Sequence, residues 1–136
     1  MISETNVKKI LFENLKFDKL KIKKLDDFVK NLLIFNKKHN LISKKTEKSI
    51  WDRHILDSAQ LVKFINPKIC NSIADLGTGG GFPGIILAIF FNNFNFHVKL
   101  YEKSKVKINF IKGIIEKLGL KNTTIYENDY QYHILD

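Results

Sequence analysis

The sequence predicts an α/β protein in which basic helices come first and part of a parallel sheet follows. Three observations predict it. Apolar residues recur at spacings of three and four across residues 18–39. The period changes after Pro67, where Ser72–Leu76 is a short apolar run of the kind that forms a buried parallel strand. A glycine-rich stretch, residues 75–84, then separates that run from a second apolar segment. The same change of period divides the chain into a helical region, 1–66, and a sheet-forming region, 67–136.

Within the first region, Val7, Ile10, Leu11 and Leu15 predict the inner face of a short leading helix. Residues 18–39 predict a longer one, capped by Asp18, with Leu20, Ile22, Leu25, Phe28, Val29, Leu32, Leu33 and Phe35 on one face and lysines opposite. Residues 46–65 read as helical again, with Thr46 as a cap and a break near Asp57 and Ser58. In the second region a strand at Ser72–Leu76 passes into the glycine loop and then a helix over 83–92, with Pro83 in its first turn. A second strand is expected over 96–102. An amphipathic helix follows over 104–118, carrying Val106, Ile108, Phe110, Ile111, Ile114, Ile115 and Leu118. Gly119 stands where such a helix ends, and 122–126 is a candidate third strand. Strands alternating with helices imply parallel pairing and right-handed crossovers.

Composition excludes several classes. The 136 residues (15.8 kDa) are the size of one domain, and 44% hydrophobic content with 11 Phe provides a core, so wholesale disorder is excluded. A single cysteine, Cys70, excludes an internal disulfide or a cysteine-rich zinc site, and reads as a small buried filler. His39, His54, His97 and His133 are scattered without metal-ligand spacing, so no metal is expected. The N-terminus has no signal-peptide pattern, and the longest apolar run, residues 85–91, is too short to cross a bilayer. A cytoplasmic monomer without membrane partners is the expectation. The net charge of +9 is concentrated in residues 1–66, which carry 15 basic and 8 acidic side chains. That asymmetry suits attraction to a polyanion. Yet 22 of the 23 basic residues are lysine, a pattern that an AT-rich genome also produces as a solvated surface.

The strongest chemical signal is Asp75-Leu76-Gly77-Thr78-Gly79-Gly80-Gly81-Phe82-Pro83-Gly84. Glycines between a strand and a helix let the backbone turn tightly and approach a ligand, while the helix N-terminus offers amide donors. No Gly-Lys-Ser/Thr follows, so the loop is not a phosphate-cradling P-loop. Glycines at 77, 79 and 81, spaced by twos behind an acid, favour S-adenosylmethionine over a dinucleotide. A dinucleotide register exists only from Gly79, Gly81 and Gly84, which begins late after the strand. Glu102, at the end of the second strand, can accept from both ribose hydroxyls of either cofactor. Its alternative is a surface carboxylate paired with Lys103 or Lys105. Arg53 and His54 read as a structural polar contact, and Trp51 and the phenylalanines as core.

Three segments resemble a known family. Phe35-Asn36-Lys37-Lys38-His39-Asn40-Leu41 is similar to its Trp-Asn-x-x-Tyr-Asn-Leu segment. Arg53-His54-Ile55-Leu56-Asp57-Ser58 matches its Arg-His-(Ile/Leu)-Leu-Asp-Ser signature, and residues 75–84 match its Asp-(Val/Leu)-Gly-(Thr/Ser)-Gly-x-Gly-(Leu/Phe)-Pro-Gly loop. The family is the bacterial small-subunit ribosomal RNA guanine-N7 methyltransferases, also called glucose-inhibited division protein B. The resemblance implies an N-terminal helical extension followed by a partial class I, Rossmann-like methyltransferase sheet. It implies S-adenosylmethionine as donor and guanine N7 in 16S ribosomal RNA of the small subunit as target. Asp75, Gly77, Thr78, Gly79, Gly81, Phe82 and Glu102 would bind the cofactor, with Tyr130 and Gln131 beside the adenine. Arg53 and His54 would organise the cofactor or RNA cleft. The family's Arg-x-Glu is replaced by Asp129-Tyr130-Gln131, which reverses a charge. Family members are longer, and the arginine expected at the target base would lie in the absent C-terminal half. The first strand would then be an unpaired apolar edge.

Three readings follow: an rRNA methyltransferase, a truncated and catalytically inactive RNA-binding remnant of one, or a small dinucleotide-dependent oxidoreductase. The last would need a substrate domain that this sequence does not contain.

Overall fold

The computed structural model describes residues 1–127 and has the predicted α/β architecture. Helices α1 (Glu4–Glu13) and α2 (Lys19–Asn36) lead. The predicted cap is in place, since the Asp18 side chain accepts from the Lys21 amide, satisfying one of the helix's orphan donors. Val7 and Leu11 of α1 are buried, as are Leu25, Phe28, Val29 and Leu32 of α2. Leu20 and Ile34 lie off that stripe and are exposed.

Residues 44–64 depart from expectation. They are helical throughout, but the pitch changes along the segment: a 3₁₀ stretch (Lys44–Ser49), a π-helical turn (Trp51–Leu56), α3 (Asp57–Ala59) and a second 3₁₀ stretch (Gln60–Phe64). Thr46 is therefore not a cap; it lies inside the first stretch, and its hydroxyl donates to the Ser43 carbonyl. Asp57 and Ser58 mark a change of pitch rather than a break. On the π-helical turn Trp51, Ile55 and Leu56 are all buried.

Strands β1 (Ser72–Leu76), β2 (His97–Tyr101) and β3 (Thr123–Tyr126) form a parallel sheet in the order β1-β2-β3. Ser72 pairs with His97, and Val98 pairs with Thr123. Helix α4 (Gly84–Phe90) follows β1 and is buried almost throughout. Helix α5 (Lys105–Leu118) follows β2, capped by Ser104 and ended by Gly119 at a left-handed φ of 64°. Both bounds match the sequence pattern, but Val106 stands off the buried stripe and is exposed. Among the described residues β1 has a neighbour on one side only, and Leu76 is 46% exposed there, as expected of an apolar edge. Helix α2 packs on both α4 and α5, so the helical region and the sheet share one core. Rings of Phe17 and Phe90 meet at 4.8 Å, and those of Phe28 and Phe110 at 6.1 Å.

Cys70 was expected to be buried and is exposed, its thiol donating to the Ser72 carbonyl at 3.0 Å. It lies in the turn before β1, outside the layer that the strand and α4 close.

Asn36 is the polar residue that the core cannot lose. It continues the buried row of Leu25, Val29 and Leu32 and is 1% exposed. Its carbonyl oxygen accepts from the Leu41 and Ile42 amides at 2.7 and 3.0 Å, and its amide donates to Glu47 at 2.6 Å. One side chain thus ties α2 to the turn and 3₁₀ stretch that lead to Arg53 and His54. Asn36→Ala leaves two amides without this acceptor and is expected to destabilise the fold by about 2–4 kcal/mol. Urea denaturation checks this, and an unchanged midpoint would refute the role.

Candidate functional site

The glycine loop runs from the end of β1 to α4. Gly77, Gly79 and Gly81 have φ of 75°, 59° and 110°, the left-handed region that side chains resist. The spacing by twos in the sequence is thus the spacing of left-handed residues in the loop. The loop is pinned to the neighbouring strand, because the Gly77 and Thr78 amides both donate to the Tyr101 carbonyl at 2.9 and 3.0 Å. The Gly81 and Phe82 amides donate back to the Thr78 carbonyl. The Phe82–Pro83 peptide is cis.

Two acids brace the loop. Asp75 accepts from the Gly84 amide at 2.9 Å, holding the start of α4 against the end of β1. Burial pushes the Asp75 carboxyl above its ordinary range, and the charge of Glu102 adds to this; the Thr78 hydroxyl and the Gly84 amide act in the opposite direction. Thr78 is buried, and its hydroxyl faces Asp75 without a well-formed hydrogen bond. Glu102 reaches across from the end of β2. One oxygen accepts from Gly79 at 2.8 Å, and the other accepts from Lys103 and Ser104 amides at 3.1 and 2.9 Å. Its partners are backbone amides, not the lysine ammonium groups of the surface alternative.

At the start of α4 the Gly84 amide donates to Asp75 and the Ile85 amide to the Gly81 carbonyl, so the first two amides of the helix are engaged within the protein. The loop also offers a ligand room. A Cβ built on Gly77 or Gly79 would meet no atom within 4 Å.

Asp75 carries a pH prediction. A carboxyl whose pKa is higher folded than unfolded takes up a proton on folding. Its stabilising contribution is therefore present below the ordinary carboxylate pKa and is lost as pH rises through the raised value. Asp75→Asn keeps an oxygen for Gly84 and carries no charge. Its stability relative to the parent should rise between about pH 3 and about pH 7, measured by urea denaturation at both. A constant difference would contradict the burial argument.

The helical segment meets the loop at Phe82. The His54 ring lies 5.1 Å from the Phe82 ring, and Phe28 of α2 meets Phe82 from α2 at 5.4 Å. His54 is half-buried, and its Nε2 is 2.9 Å from the Thr46 hydroxyl. Burial lowers its pKa; Arg53 lowers it further and Asp57 opposes this. At neutral pH the ring is therefore a neutral partner of Thr46 and Phe82. Arg53, His54, Asp57, Ser58, Leu61, Phe82 and Pro83 line a cleft of about 310 Å³ beside the loop.

The structure thus brings together Asp75, Gly77, Thr78, Gly79, Gly81, Phe82 and Glu102, and sets His54 against Phe82, with Arg53 lining the cleft beside them. Tyr130 and Gln131, with Asp129, lie outside the described residues. Asn36 and Thr46 were not singled out as support for the site. The available signal for Asn36 was a polar residue at a core position of an apolar helix face. Among the described residues no group of three or more His, Cys, Asp or Glu could hold a metal ion, and no helix is long and apolar enough to cross a membrane.

The sequence model of the rRNA small subunit methyltransferase G family matches residues 21–133, which span both the helical region and the glycine loop. The chain belongs to this family. Relatives named ribosomal RNA small subunit methyltransferase G include one from Magnetococcus marinus, 43% identical over 107 residues, covering 79% of this chain and 47% of the relative. One from Pelagibacter ubique is 41% identical over 115 residues, covering 82% and 54%. One from Mycoplasma mycoides is 37% identical over 118 residues, covering 82% and 84%. The chain therefore spans about half the length of the first two methyltransferase G relatives, and most of the third.

Proposed function

We propose that the glycine loop binds S-adenosylmethionine and that the chain supplies this site to methylation of guanine N7 in 16S ribosomal RNA. The observation that carries the reading is the placement of Glu102 at 2.8 Å from Gly79, an acid at the end of the second strand facing a loop with open space beside Gly77 and Gly79. A carboxylate has about four acceptor sites. Three are engaged by amides here, so accepting two ribose hydroxyls displaces one of them. The Gly79 amide is the partner that belongs to the loop. Phe82, braced by Phe28 and His54, forms the far wall.

The donor supplies an electrophilic methyl group on a sulfonium. The chain's task is to orient that group, exclude water and hold the acceptor in line. Guanine N7 carries no proton, so no general base is required, which agrees with the neutral His54 being tied to Thr46 rather than poised beside a nucleophile. The surplus of basic side chains in residues 1–66 supports attraction to RNA. A cytoplasmic site of action is part of this reading, supported by likeness to proteins named for small-subunit ribosomal RNA.

Incubating the chain with methyl-labelled S-adenosylmethionine and unmethylated 16S ribosomal RNA tests the reading. Label recovered as 7-methylguanosine is the expected result. RNA binding with no transfer would instead favour an inactive RNA-binding chain.

A further inference from the structure

The cleft beside Phe82 has a chemistry of its own. Arg53 and Asp57 stand four residues apart and both line it, with Leu61 a further four residues on. Both charged side chains are exposed, and among the described residues no hydrogen bond or ion pair ties either of them down. The cleft is shallow and open, its apolar lining is Leu61, Phe82 and Pro83, and the volume of about 310 Å³ is at the small end of ligand pockets. Arg53 lies on the π-helical turn, a rare geometry that often marks functional positions, with Asp57 directly after it. Phe82 belongs both to this cleft and to the glycine loop, so a ligand here abuts whatever the loop holds.

We propose that this cleft seats the target base and that Asp57 is the residue that selects guanine. The proposal rests on the methyltransferase reading of the loop. A flat group with apolar faces suits a shallow cleft with this apolar lining. The carboxylate then discriminates by edge. Guanine presents two adjacent donors, N1–H and the N2 amino group, which match a carboxylate's two oxygens. Adenine and cytosine present one amino group beside a ring acceptor that a carboxylate repels, and uracil presents one imide donor between two carbonyls. Charge-assisted pairs of this kind are about twice as strong as neutral ones. With its Watson–Crick edge on Asp57, guanine leaves N7 free on its other edge. Arg53 is placed to hold a phosphate, a contact that positions without selecting. Transfer then balances simply: the N7 lone pair forms the bond to the methyl carbon, the sulfur–carbon bond breaks, and the sulfonium becomes a neutral thioether. The base takes on the positive charge, which the Asp57 carboxylate offsets. No proton moves.

The experiment titrates the ¹⁵N-labelled chain with guanosine monophosphate, adenosine monophosphate and S-adenosylmethionine in turn, following amide shifts. Guanosine monophosphate should move the signals of residues 53–61 and Phe82, with affinity about tenfold or more above that of adenosine monophosphate. Asp57→Asn should abolish that preference, and Asp57→Glu should restore part of it; dispersed spectra show that each variant is folded. Equal affinity for the two nucleotides, shifts elsewhere, or a preference that survives Asp57→Asn would overturn the proposal. Guanine selection without S-adenosylmethionine binding would leave the seat standing and sink the reading of the loop. S-adenosylmethionine shifts at residues 77–81 without guanine selection would do the reverse.

Discussion

Gly84→Ala is expected to destabilise the protein by about 2–5 kcal/mol, a large share of the roughly 5–15 kcal/mol that holds a typical domain together. A Cβ at this position would run into Leu100 Cδ2 and come within 2.8 Å of Asp75 Oδ2. Leu100 is fully buried in the central strand and cannot move aside without disturbing β2. The Gly84 amide is also the donor that holds Asp75, so any shift of α4 lengthens that bond and leaves a half-buried carboxyl without it. Overpacking and loss of a hydrogen bond to an acid therefore act together. Thermal and urea unfolding measure the effect. A variant as stable as the parent would mean that α4 and β1 are not as tightly apposed as described. The same alanine at Gly113 of α5, where a Cβ meets nothing within 4 Å, is a control expected to cost nothing or to stabilise slightly.

Glu102→Gln should weaken S-adenosylmethionine binding by about 10- to 100-fold, the equivalent of losing one charge-assisted hydrogen bond of about 1.5–3 kcal/mol. The amide keeps one oxygen, which can serve Gly79 or a ribose hydroxyl, and replaces the other by a donor. That donor faces the Lys103 and Ser104 amides that the carboxylate accepted from. The loss therefore falls on both the ligand and the start of α5. Glu102→Asp separates the two effects: it keeps the charge but is one methylene short of Gly79. If Gln and Asp both leave affinity within twofold of the parent, Glu102 is a structural brace only. Calorimetry gives the affinities, and unfolding curves of the ligand-free variants give the structural share.

Much of this architecture is legible in the sequence. Strand β1 matches its apolar run residue for residue, and α5 matches its period together with the Ser104 and Gly119 signals at its ends. Helix α5 obeys local rules, namely burial on one stripe and caps at the termini, whereas β1 keeps its predicted span but none of its residues is fully buried, contrary to the buried strand its apolar run predicted. Residues 44–64 do not obey such rules, because their pitch is set by what they must pack against. Trp51, Ile55 and Leu56 are all buried on the π-helical turn. Cys70 and Val106 were misplaced for a related reason: hydrophobic character fixes what a side chain prefers, while the neighbouring layer decides whether it is covered. At the site, the glycines and Glu102 were readable as residue types in order. Their coupling was not, since the bond from Gly79 to Glu102 spans 23 positions and the meeting of His54 with Phe82 spans two regions of the chain. Arg53 and His54 were singled out by motif, whereas the Thr46 hydroxyl that holds His54 carried no sequence signal beyond its type.

The central claim is that the loop between β1 and α4 is a methyl-donor site. Titrating the purified chain with S-adenosylmethionine by calorimetry, with NADH as the control, tests it most directly. The account predicts saturable binding of S-adenosylmethionine, absent for NADH and weakened by Glu102→Gln. Binding of NADH in its place, or of neither, by a chain whose unfolding is cooperative would contradict it.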